Sequence, residues 1–159
     1  MRLVTVRRSF TEGECFPLFL WSDWHRFNAN CAKSVLARDR DEILTTPNAM
    51  YTTLGDLTEC IAPDDPRYDP AHVDWSLIEA RDMGRLSDVA VEDRVAFESP
   101  VIDRCLATTD GNHDAKWNAR HHTDINLRAL ERMGRPDLWS RGAVLLRIVF
   151  SDHHRHTCK

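Results

Sequence analysis

The sequence predicts an α/β fold in a single domain spanning 1–159. Two observations carry this: short β-rich runs alternate with helix-patterned stretches, and one of those runs, Ala143-Val144-Leu145-Leu146-Arg147-Ile148-Val149-Phe150, is strongly strand-like. The length suits one domain. Apolar residues make up 42% and charged residues 29%, enough for one core under a polar surface.

Taken in order, Leu3, Val4 and Val6 alternate weakly and predict an edge strand within the first ten residues. Pro17-Leu18-Phe19-Leu20-Trp21 is a continuous apolar run stopped by Ser22-Asp23, the pattern of a buried strand entering a polar loop. Residues 31–43 place Val35, Leu36 and Ile43 among helix-favouring Ala, Arg and Glu, and Pro47 ends that helix. Residues 49–54 read as the next strand, stopped by Gly55-Asp56. Pro63, Pro66 and Pro70 make the following stretch a loop. Asp74 is placed to cap a helix running through Ile78 and Met83, and a second helical piece is expected over 87–97. Residues 101–108 read as a third strand, stopped by Asp110-Gly111-Asn112. Thr123 or Asp124 caps a helix through Ile125, Leu127, Leu130 and Met133, with Gly134 as its stop. The 143–150 run is then the fourth core strand.

Several function classes drop out. Twenty-one Lys and Arg against twenty-five Asp and Glu give a net charge of −4, which argues against a wholly basic surface for a polyanion. No apolar run approaches the ~20 residues of a membrane span. The run at 16–21 is too short for a span, and the Asp23 that follows it breaks any signal-peptide reading. The five cysteines are odd in number and widely spaced, with no C-x-x-C pair, so they predict reduced thiols and a cytoplasmic setting.

Three of the four expected core strands end in groups that bind metals: Asp23-Trp24-His25, Gly55-Asp56 and Gly111-Asn112-His113-Asp114. Open α/β sheets build their sites beyond the carboxyl ends of their strands, so these clusters should converge. Asp23 and His25 can turn toward one ion, Asp56 can bridge two through its two oxygens, and Asn112 offers an amide oxygen to the second. Such mixed donors suit Mn, Fe or Zn better than Ca. His113 would then protonate a leaving oxygen or steady developing charge. Each cluster alone has an ordinary reading: D-x-H recurs by chance and Gly-Asp is common turn chemistry. Their order, each after a strand, favours the metal reading.

In this order the motifs resemble those of the calcineurin-like metallophosphoesterase superfamily, whose pattern runs D-x-H, G-D, G-N-H-[D/E], a single His and G-H-x-H. The resemblance implies mixed β-sheets flanked by helices. It also implies Asp23 and His25 on a first metal, Asp56 as the bridge, Asn112 on a second metal and His113 as the catalytic histidine. The expected activity is hydrolysis of a phosphomonoester or phosphodiester by a hydroxide activated between two divalent ions (Mn, Fe or Zn). Its substrate would be a phosphorylated small molecule or a nucleic acid. Arg67 is a candidate substrate-phosphate ligand, with a surface ion pair to Asp64, Asp65 or Asp69 as the plainer alternative. Glu59 is a candidate acceptor for a ligand histidine.

The chain departs from the family pattern in having no G-H-x-H. His153, His154 and His156 offer H-x-H spacing without the glycine. The expectation is therefore the N-terminal portion of a family domain with an incomplete second sheet and one apolar face open to self-association. The alternative function is an inactive fragment or a metal-binding interaction module without turnover.

Overall fold

A computed structural model describes residues 1–59 and 61–152. His153, His154 and His156, the candidate replacement ligands, lie outside the described residues, as do Cys60 and Cys158. The protein is α/β, with four helices and two parallel sheets among the described residues.

The central sheet has the order β2 (Leu18–Trp21), β3 (Met50–Thr53), β4 (Cys105–Thr109) and β5 (Trp139–Ser140), all parallel. Parallel neighbours need crossovers. Helix α1 (Lys33–Thr45) lies between β2 and β3, and α2 (Leu86–Glu98) between β3 and β4. Helices α3 (Asn112–His121) and α4 (Ile125–Arg132) lie between β4 and β5. The second sheet pairs β1 (Arg2–Phe10) with β6 (Val144–Asp152), again parallel. The mixed sheets implied by the family resemblance are thus replaced by parallel pairing throughout the described strands.

Period-two alternation divides the central sheet into two faces. Trp21 and Tyr51 pack with Leu36, Ile43, Phe97, Val101 and Leu130 in the main core on the helix side. Met50 and Leu106 meet Val6, Val4, Phe16 and Leu146 from the second sheet. A third cluster joins Phe27, Ile78, Leu86, Val91, Trp117 and Ala129 beneath the long 59–85 connection. The two-stranded sheet covers its neighbour only in part. An open groove between them is lined by Leu18, Leu20, Leu54, Val144, Leu146 and Ile148.

Four sequence expectations are corrected. The 143–150 run does not join the central sheet; it pairs with β1, and the fourth place goes to the two-residue β5. The run at 17–21 is not fully buried, since Leu20 is 62% exposed toward the groove. The expected 101–108 strand begins only at Cys105, because Pro100 starts a 3₁₀ turn over Ser99–Arg104. Arg104 uses that turn to reach the free carbonyls of Leu44 and Thr46 at the end of α1, at 3.1 and 2.7 Å. Asp74 caps no helix: its carboxylate accepts from Ser76 and from Lys33 Nζ (2.6 Å), and only a 3₁₀ segment at Ala80–Arg85 follows. Helix α3 has no counterpart in the sequence expectations, because Gly111-Asn112-His113-Asp114 reads as turn chemistry. Gly111 is in fact its N-cap.

Candidate metal centre

Because β2, β3 and β4 are adjacent and parallel, their carboxyl ends share one edge of the sheet. The two loops leaving β2 and β3 then continue side by side. Asp23 N–H donates to Gly55 O (3.2 Å), His25 N–H to Asp56 O (3.1 Å), Arg26 N–H to Leu57 O (3.0 Å) and Glu59 N–H to Arg26 O (2.8 Å). This pairing sets His25 beside both Asp56 and Glu59. Arg26 anchors the first loop to α2 through two contacts with Asp93, at 2.5 and 2.6 Å, and lies over the Phe97 ring.

The loop from β4 joins through Asp56. His113 N–H donates to Asp56 Oδ1 at 2.8 Å, and Asp114 Oδ2 accepts from both Asp56 N–H (2.8 Å) and Gly111 N–H (2.9 Å). Burial pushes the Asp114 carboxyl up, opposed by those two N–H groups. Behind this loop, Asn126 Nδ2 donates to Asp110 Oδ1 at 2.9 Å. Asn126 in turn accepts from the buried Arg94, whose Nε donates to Glu98 Oε1 at 2.6 Å.

One ligand atom each from His25, Asp56 and His113 lies within 4.8 Å of the other two. The two imidazoles stand nearly perpendicular, ring centres 4.8 Å apart. His113 Nδ1 is buried with no hydrogen-bond partner. Glu59 Oε2 lies 2.9 Å from His25 Nδ1, but off the N–H axis, so that buried nitrogen also lacks a directed hydrogen bond. Two underused imidazoles converging on a carboxylate fit a divalent transition-metal ion.

Asp23, His25 and Asp56 share a second feature. Each adopts a positive φ (53°, 46° and 54°), where a residue with a Cβ pays about 1 kcal/mol. Phe27, a core residue of the same loop as Asp23 and His25, shares this conformation at φ 78°, so the strain belongs to the path of the loop as a whole.

The other sequence candidates are placed as follows. Asp23 Oδ1 is 3.9 Å from His25 Nε2, and its side chain is exposed. Asn112 opens α3 next to His113 and is exposed. Arg67 stands apart from the triad, gripping Asp65 through Nε (2.9 Å) and Nη2 (2.8 Å). Trp24 and Trp117 are buried in the cores. Sequence reasoning overlooks Asp114, Asn126 and Arg94 as the supports beneath the loop. Only Asp114 carries a signal, as an acid in the first turn of α3.

Fold and site together define an α/β protein with a candidate metal-binding group at the carboxyl edge of a parallel sheet. No protein-family model, curated protein or solved structure matches the chain. Among the described residues, no helix is long and apolar enough to cross a membrane.

Proposed function

We propose that the protein is a metallophosphoesterase-like hydrolase acting on a phosphomonoester or phosphodiester. The observation that carries this reading is the convergence of His25, Asp56 and His113 from three separate loops, with Asp23 at the rim. In this reading Asp23, His25, Asp56 and Asn112 would hold the divalent ions and His113 would stay off the metal as the proton donor, whereas in the second reading below His113 is itself a ligand. Bound there, such ions supply Lewis-acid activation of water and neutralise phosphate charge.

The chain's own residues do the rest. Asp56 Oδ1 accepts from the backbone N–H of His113, which ties the carboxylate to the start of α3. His113 would give a ring proton to the departing alkoxide oxygen. Glu59 Oε2, 2.9 Å from His25 Nδ1, would fix that ring's tautomer and direction on turning into line with the ring N–H.

A metal-binding module without turnover is the second reading. The donor count favours it: the converging group offers three strong donors, enough for one ion, while Asn112 and Asp23 are exposed.

Metal analysis of the purified chain, followed by Mn titration with bis-p-nitrophenyl phosphate, separates the two. The hydrolase reading expects Mn-dependent turnover that Asp56→Asn abolishes. Binding of one ion without turnover would establish the module. Turnover unchanged in Asp56→Asn would overturn the proposed centre.

A further inference from the structure

The geometry points to a second anion site beside helix α3, a subsite for a phosphate group of the substrate other than the one being cleaved. This rests on the phosphoester reading above.

Helix α3 starts at the metal group, so its later turns carry side chains away from that group along one line. Lys116 follows His113 by three residues and Arg120 follows Lys116 by four, a spacing that stacks them on one helix face. Arg120 is thus about 10 Å beyond His113 along the axis. The facing wall comes from the proline-rich loop. The resulting cleft, about 340 Å³, is lined by Asp65, Arg67, Lys116, Trp117, Arg120 and His121. Arg67 also lines a smaller cavity that reaches Glu59, the neighbour of His25. The cleft is thus linked to the metal group along α3, about 10 Å away, and along the loop that carries Arg67.

Charge in the cleft is positive in a chain of net −4. Arg67, Lys116 and Arg120 outnumber the two carboxylates in contact with them, Asp65 on the lining and Asp64 against Arg120, by one. Asp65 is shared: Arg67 holds it bidentately, and Arg120 Nη1 lies 3.6 Å from it. Arg120 also contacts Asp64, at 3.0 Å. Lys116 has no acidic partner within 4.0 Å among the described residues. The two arginines are thereby preorganised by partly exposed pairs, and the lysine is unspent. A phosphate entering the cleft gains charge-assisted hydrogen bonds from all three.

The test is calorimetric titration of inorganic pyrophosphate into the full chain in EDTA. Saturable binding is expected, about tenfold weaker in Lys116→Ala and in Arg120→Ala, and unchanged in Asp56→Asn. All three variants are judged against an unaltered circular-dichroism spectrum. Absent saturable binding in the unsubstituted protein, or undiminished affinity in both cleft variants, overturns the subsite. A parallel Mn titration keeps the two readings apart. Loss of Mn binding in Asp56→Asn with pyrophosphate affinity intact supports both. Pyrophosphate binding in a chain that takes up no Mn overturns the metal reading and shows the cleft alone.

Discussion

A β-carbon on Gly55 would lie 1.9 Å from the amide nitrogen of Gly111. One on Gly111 would lie 2.2 Å from Asp56 Oδ1. The ends of β3 and β4 thus come together at two residues that have no side chain, and Asp56 occupies the space this frees. Gly55 also sits at φ +95°, which only glycine adopts cheaply.

Gly55→Ala should therefore fail in two ways, by backbone collision and by strain. A loss of roughly 2–4 kcal/mol is expected, read from the urea midpoint, together with weakened Mn binding. An unshifted midpoint would show that the two loops can separate without consequence.

Glu59→Gln tests the partner of His25. The amide keeps the shape but removes the charge 2.9 Å from Nδ1. Mn affinity should fall about 10- to 100-fold while thermal stability holds. Equal affinity in competition with a fluorescent chelator would remove Glu59 from the centre.

The buried pair Arg94 and Glu98, 2% and 0% exposed, makes a contrasting prediction. Arg94→Met strands the Glu98 carboxylate and releases Asn126, and should cost about 3–5 kcal/mol. Arg94→Met combined with Glu98→Leu removes both charges and should recover most of that loss. Denaturation curves that place the single and double variants together would contradict this account.

Arg67 holds the Asp65 carboxyl well below the usual carboxylate range, chiefly through its side-chain hydrogen bonds. A carboxyl depressed in the folded state adds stability above its unfolded pKa of about 3.9, and loses it as pH falls through the folded value. Asp65→Asn should then lower Tm at pH 7 by about 1–3 °C, a small effect because the pair is partly exposed. The difference from the unsubstituted protein should shrink below about pH 4. A gap that widens on acidification would contradict the sign.

Much of the candidate site is legible in the amino-acid order. His25, Asp56 and His113, which converge, each follow a strand-like run, as do Asp23 and Asn112, which stay exposed beside them, and strand ends are where parallel sheets expose polar groups. The supports are not legible. Asn126 lies in an ordinary helix pattern, and nothing local says that its amide meets Asp110 and Arg94. Lys116 and Arg120 become a pair only through the helix that begins beyond Gly111.

Strands β2, β3 and β6, helices α1, α2 and α4, the polar stops and the ligand types are local properties, written in periodicity and turn chemistry that a single chain segment carries by itself. Which strands become neighbours is decided by long-range burial. β6, the strongest strand pattern, pairs with β1 outside the central sheet. The short Trp139–Ser140 segment takes its place there because Leu138 and the neighbouring Trp139 pack against the main core. The meeting of His25, Asp56 and His113 belongs to the same category, since three loops far apart in sequence coincide only when the packed sheet aligns their strands.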